Sequence, residues 1–184
     1  MQTAEAGLHT VADYIKMPDD GRRYELIEGE LLMAPATNRF HQAISLNLTL
    51  LLGAYVREHR LGEMYVAPFD VIFDEHNVLQ PDIIYFSKSR ASALTTGGAT
   101  GVPDLAIEIV SPGAERRDRV LKRKIFAQSG VEELWLVLPE TRQIEIYRFA
   151  EKREHPVERL VENGQFTSVM FPTLTIKAAD VFSD

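Results

Sequence analysis

The period of apolar and polar positions changes several times along the chain, and each change predicts an element. Thr10-Val11-Ala12-Asp13 has the form of a capped helix start, which Pro18 ends early. Asp19-Asp20-Gly21 reads as a turn. Residues 23–28 and 30–33 read as two strands joined at Gly29, and Pro35 closes this hairpin. Asn38 can cap a long helix running to about His59, with Phe40, Ile44, Leu48, Leu51 and Tyr55 as its buried stripe. Leu61-Gly62 ends that helix. Strands follow over 63–67 and 69–73, broken by Pro68, and Glu75-His76-Asn77 turns the chain into a strand over 78–86. Pro81 within this run points to an edge or a bulge near Asp82.

Residues 87–103 show little periodicity and read as a loop with one helical turn near 89–94. Residues 104–110 are apolar on both faces apart from two acids, the pattern of a central strand covered on both sides. Ser111-Pro112-Gly113 stops it, and a helix over 114–129 is closed by Gly130. Residues 133–138 form a second near-continuous apolar strand, with Trp135 in the core, and pair with 143–149 across a turn. The segments 159–162 and 166–170 are expected to pair around Asn163-Gly164. A short strand and a helical turn occupy 174–182. This order predicts one α/β domain over residues 1–184, a mixed β-sheet flanked by helices with additional β-hairpins.

Composition narrows the classes. A length of 184 residues suits one sizeable core. No apolar run approaches the roughly 20 residues of a membrane helix, and the N-terminus lacks the features of a secretory signal. The expectation is therefore a cytoplasmic protein without a membrane partner. There is no cysteine, which excludes disulfides and thiolate metal sites. The net charge of −7 argues against a general nucleic-acid coat. A local basic face is still enough to hold phosphates. Arg116, Arg117, Arg119, Lys122, Arg123 and Lys124 supply one, the alternative being a solvated helix face.

Chemistry enters through two acids placed where core strands prefer apolar residues. A carboxylate buried without a partner is costly. Ala106, Glu108 and Val110 share one strand face, and Gln80, Asp82 and Ile84 share another. On neighbouring strands Asp82 and Glu108 can meet. Two such carboxylates repel unless a cation sits between them: a magnesium ion, or a shared Arg or Lys. At about 100° per residue, Asp118 and Lys122 fall on the inward arc of Leu121, Ile125 and Phe126, and Arg116, Arg119, Arg123 and Lys124 fall outside it. Lys122 is thus the cation expected to reach Glu108. A plain Asp118–Lys122 salt bridge at the core edge is the alternative.

Pro81-Asp82, Glu108-Ile109-Val110 and Lys122 resemble the PD-(D/E)xK nuclease superfamily, with its restriction-endonuclease-like fold. Most members carry the last acid and the lysine in one short ExK motif. Val110 stands in the lysine position here, and Lys122 would be a migrated lysine arriving from the next helix. The chain more specifically resembles the bacterial "putative restriction endonuclease" family. The matching stretches are residues 21–31, His41, Gln80-Pro81-Asp82, residues 103–112, Arg117-Asp118, Lys122 and residues 130–137. Phe126 departs from the family's usual tyrosine and Leu121 from a frequent acid.

The resemblance implies a metal-dependent endonuclease acting on DNA, with magnesium, or manganese in its place, held by Asp82, Glu108 and the carbonyl of Ile109. Lys122 would orient the attacking water or neutralise charge on the phosphate. Glu25 is an additional acid of the site or a simple partner of Arg23 or of a surface lysine. His41 is a core histidine or part of a phosphate site at the helix N-terminus. Arg116, Arg119 and Arg123 are expected nucleic-acid contacts. A homodimer and a monomer both stay open. The rival expectation is a non-catalytic binding or regulatory module on the same scaffold, because fold alone does not establish activity.

Overall fold

The computed structural model describes residues 8–18, 20–34, 37–151 and 154–183. The expected turn residue Asp19 and the hairpin-closing Pro35 lie outside the described residues. The chain begins with a one-turn helix, α1 (Val11–Tyr14), and a hairpin of β1 (Tyr24–Ile27) and β2 (Glu30–Met33). Its loop residues Glu28 and Gly29 both have positive φ, 49° and 80°, the backbone of a two-residue hairpin turn. Then come α2 (Arg39–Glu58), β3 (Gly62–Val66), β4 (Val71–Asp74), β5 (Asn77–Leu79) and β6 (Ile83–Ser87). A 3₁₀ segment over Lys88–Ala93 leads to the short β7 (Leu94–Thr95) and β8 (Gly98–Thr100), then to β9 (Leu105–Ile109). A helical stretch with π geometry over Arg117–Lys122 continues as α3 (Arg123–Ser129). The chain finishes with β10 (Glu133–Leu138), β11 (Gln143–Arg148), β12 (Glu158–Val161), β13 (Gln165–Thr167), β14 (Thr175–Lys177) and α4 (Ala178–Val181).

Among the described residues these strands form two six-stranded sheets and one two-stranded ribbon. The central sheet runs β12-β11-β10-β9-β6-β3, with β9 and β10 parallel and the other pairs antiparallel. The second runs β2-β1-β5-β4-β8-β7, and β13 pairs with β14. Every residue of β9 is buried, Glu108 included, as in a central strand covered on both faces. Leu105, Ile107 and Ile109 pack on one face against Ile44, Leu48, Leu52 and Val56 of α2. Ala106 and Val110 pack on the other with Ile125 and Phe126 of α3, and with Ile27 and Leu79 from the second sheet. Glu108 therefore points to the side where α3 and the second sheet converge. Among the described residues no helix is long and apolar enough to cross a membrane.

Four expectations need correction. The strand expected over 78–86 is two strands in two different sheets, because Gln80-Pro81-Asp82 breaks it. Proline has no N–H to give a ladder, and this is where the chain changes sheet. The loop expected over 87–103 contains the β7–β8 hairpin. The stripe of α2 is rotated: Leu52 and Val56 are buried with Ile44 and Leu48, and Phe40 is 49% exposed. Leu51 and Tyr55 only flank the core. Finally, β12 pairs with β11 and β13 with β14, so no hairpin forms around Asn163-Gly164. The turn is made locally, Gly164 donating to the Val161 carbonyl at 2.7 Å. Leu160, Phe166 and Ile176 all reach the same core by separate pairings.

Candidate active site at the junction of two sheets

The break at Pro81 builds the site. Before it, Leu26 of β1 pairs with Val78 of β5, so Glu25 lies beside Gln80 and its Oε1 accepts the Gln80 N–H at 2.8 Å. After it, Ile83 of β6 pairs with Ile107 of β9. Asp82 therefore sits against the end of β9, where its Oδ2 accepts the Ile109 N–H at 2.7 Å. Three residues of chain thus place one acid in each sheet's register, facing the same gap. The expectation that Asp82 lies in a strand is corrected accordingly: it occupies the crossing between strands.

The helix after β9 closes the gap. Its π geometry widens the backbone over Arg117–Lys122, a distortion frequent at functional sites. Asp118 and Lys122, predicted on the inward arc, are both buried. Lys122 Nζ donates to Glu108 Oε1 and Oε2 at 3.0 and 3.1 Å. It also lies 2.8 Å from Glu25 Oε1 and 3.7 Å from Asp118 Oδ1. Lys122 is therefore shared by three acids rather than held by Asp118 alone. Arg117 Nε donates to Asp118 Oδ1 at 3.2 Å and stands 3.9 Å from Glu25 Oε2. His41, buried in the first turn of α2, brings Nε2 to 3.2 Å from Asp82 Oδ1.

These residues surround a small cavity of about 30 Å³, the space of roughly one water. Glu25, Asp82, Glu108, Asp118 and Lys122 all line it, together with Ile109 and Gln80. Three buried polar atoms on its lining residues have no hydrogen-bond partner: Glu25 Oε2, His41 Nδ1 and Gln80 Oε1. The Gln80 amide is oriented from outside. Its Nε2 donates to Asp70 Oδ1 at 2.7 Å, and Tyr14 donates its hydroxyl to the same oxygen at 2.8 Å. Oriented oxygen donors with spare valence are what a hard divalent cation such as magnesium requires. Among the described residues, however, no group of three or more His, Asp or Glu side chains is already gathered around one ion position. The donor chemistry fits magnesium with one or two carboxylates and retained waters, and does not fit an all-protein cage.

Electrostatics reflect the crowding. Burial pushes the Glu108 carboxyl well above the usual carboxylate range; Lys122 pulls against this, and Asp118, Asp82 and Glu25 add to it. Burial raises Asp118 in the same way, opposed by Lys122 and Arg117. For Lys122 burial works against the ammonium, but Glu108, Glu25 and Asp118 outweigh it and hold its pKa above the ordinary lysine value. The lysine is charged, and the acids compete for it.

The outer basic residues go elsewhere. Arg116 is exposed. One Arg119 nitrogen donates to both oxygens of Glu145, at 2.9 and 3.1 Å. Arg123 donates to the Arg119 carbonyl at 3.0 Å and lies 5.7 Å over the Tyr147 ring. Lys124 pairs with Glu28 at the surface. None of these four lines the acidic cavity. Sequence reasoning had not assigned Gln80, Arg117 or the Tyr14–Asp70 pair to the site. The first two adjoin Asp82 and Asp118 in the matched motifs; no signal in the sequence marked the third.

The fold is restriction-endonuclease-like, a mixed α/β arrangement with its acidic pocket at the end of the central strands. Residues 11–179 match the Uma2 family model, described as "Putative restriction endonuclease", and the chain belongs to that family. It is also similar in structure to a protein from Anabaena variabilis ATCC 29413 described as a "putative nuclease belonging to DUF820". The two share 23% identity with a TM-score of 0.79, over 95% of this chain and 97% of that one. No curated protein matches the chain.

Proposed function

We propose that the chain is a metal-dependent endonuclease that hydrolyses phosphodiester bonds in DNA at the pocket of Glu25, Asp82, Glu108 and Lys122. The observation that carries this reading is the position of Lys122. It comes from a different element than Glu108, yet its ammonium lies within 3.1 Å of both Glu108 oxygens. Asp82, Glu108 and the Ile109 carbonyl would hold magnesium, or manganese in its place. When bound, the ion supplies a Lewis acid for the scissile phosphate and lowers the pKa of a bound water.

The chain's own groups do the rest. Lys122 holds a positive charge where negative charge develops on the phosphate, in a buried setting that strengthens the interaction. Glu25 shares Lys122 and keeps its Oε2 without a hydrogen-bond partner, 3.9 Å from the Arg117 guanidinium, so that it can accept a proton from a water. His41 and the Ile109 N–H fix the Asp82 carboxylate. DNA is the proposed substrate, reached through the exposed Arg116 and the helix end beside it.

One observation favours a second reading. Lys122 already bridges Glu25 and Glu108, as a purely structural charge network on a non-catalytic module would require. The two readings separate in one experiment. Parent, Asp82→Asn and Glu108→Gln proteins are incubated with single- and double-stranded DNA in magnesium, manganese or EDTA, and manganese binding is titrated calorimetrically. Cleavage and metal binding that vanish in both variants are expected. A parent that neither cleaves nor binds the ion is the structural network instead.

A further inference from the structure

A cavity of about 420 Å³ opens beside the acidic pocket. The two share His41 and Ser111, which line both. Phe40, Ile44, Val110 and Phe182 supply apolar wall to the larger one, and Asn38, Arg142 and the carboxylate of Glu140 supply polar groups. Its volume and its mostly apolar lining with a few polar groups are those of a ligand pocket. Phe40 is conspicuous there. It is 49% exposed in the first turn of a 20-residue helix and belongs to none of the three core clusters. The Arg39 guanidinium lies 4.5 Å over its ring. Arg142 is held in place by the carbonyl of Phe182, to which it donates at 2.9 Å, and by Glu162.

The structure assigns this cavity, we infer, to one unpaired nucleobase of a DNA strand whose adjoining phosphodiester lies at Asp82 and Lys122. The inference rests on the nuclease reading and adds a substrate class to it. An aromatic face beside a positive charge and a helix N-terminus suits a base with its anionic backbone: the ring stacks, and the phosphate meets Arg39 and the start of α2. The shared His41 joins base pocket and acids into one continuous surface. A base enters a concave pocket only once it is out of the helical stack, so a single-stranded or locally unpaired substrate is implied.

The test measures binding and does not depend on cleavage. A single abasic site is walked through a fluorescent single-stranded oligonucleotide, and the Kd is measured by anisotropy with calcium replacing magnesium. One position should lose about tenfold in affinity, the scale of one base–aromatic stack. 2-Aminopurine placed there should change its fluorescence on binding. Ala43→Phe, which fills the cavity from α2, and Phe40→Ala, a truncation at an exposed position, should each flatten the walk and leave the salt dependence of binding unchanged. A flat walk in the parent with binding intact overturns the pocket assignment and leaves the nuclease reading standing. Failure of every oligonucleotide to bind removes both. Position-dependent loss that persists in a folded Phe40→Ala protein also overturns the assignment.

Discussion

Among the described residues, two of the regions that bury acids are built in opposite ways. At the β10–β11 side, Glu133 is fully buried and both its oxygens are bonded. Oε1 accepts from the Trp135 indole at 2.6 Å, and Oε2 accepts from Arg148 at 3.1 Å and the Val169 N–H at 3.2 Å. Glu145 is likewise surrounded, by Arg119, Arg159 and the Tyr147 hydroxyl. At the junction of the sheets, Glu25, Glu108 and Asp118 share one lysine, and Glu25 Oε2 has no hydrogen-bond partner. A buried acid with all its lone pairs satisfied is structural. Acids crowded around one buried lysine, with a Glu25 oxygen left short of a hydrogen bond, are candidates for a role beyond structure.

The largest expected effect breaks the comparison on the reactive side. Lys122→Met should lower magnesium-dependent cleavage by about 10²–10³-fold, the scale of removing one preorganised electrostatic group, and leave DNA binding largely intact. Equal activity in variant and parent would remove Lys122 from the mechanism. On the structural side, Glu133→Gln takes the charge from bonds to Arg148 and should cost about 2 kcal/mol in urea unfolding, with cleavage per folded molecule unchanged. A neutral result there would mean the two regions are not built differently.

Glu108→Gln should do the reverse to stability. Because burial raises the Glu108 and Asp118 pKa values in the folded state, their contribution is fully present below the ordinary carboxylate values and is lost as pH rises through the folded ones. The metal-free parent should therefore lose melting temperature as pH climbs above about 4.5. The glutamine variant should show a shallower loss and melt higher than the parent at pH 8 in EDTA, with metal binding weakened. A variant that melts lower at every pH would make Glu108 a structural acid like Glu133. The smallest effect is expected from Lys124→Met, whose partner Glu28 is at the surface. It should weaken DNA binding slightly and reduce the salt slope by about 1; a loss of cleavage comparable to that of Lys122→Met would invalidate the distinction between the two lysines.

Much of the site was legible because it rests on local periodicity. The alternation of β9 assigned Glu108 to one face, and the helical phase singled out Lys122 over Lys124; both depend only on backbone geometry repeated every two or 3.6 residues. The hairpin of β1 and β2, the Asn38 cap and the central placement of β9 follow from the same short-range rules. Register between distant segments did not. The exposed Phe40 and the buried Leu52 and Val56 of α2 are one step from the expected stripe, because the sheet it packs on selects which side of a broad apolar arc is covered. The strong turn signal at Asn163-Gly164 made a turn but no hairpin, since partners elsewhere in the chain buried Leu160 and Phe166 better.

The amino-acid order alone determined that this chain is a mixed α/β protein with one acid in an apolar central strand, another just after Pro81 and a lysine phased toward the first. These are properties of single segments, and the chemistry of each segment carries them. Tertiary structure alone decided that Pro81 marks a crossing between two sheets, that Glu25 joins the pocket through the Leu26–Val78 pairing, and that Tyr14 and Asp70 orient Gln80. The Leu26–Val78 pairing and the Tyr14–Asp70 bond join segments dozens of residues apart, and the Asp70–Gln80 bond crosses from one turn of the chain to the next. The free energy that selects among such pairings is summed over the whole core, so no local pattern records it.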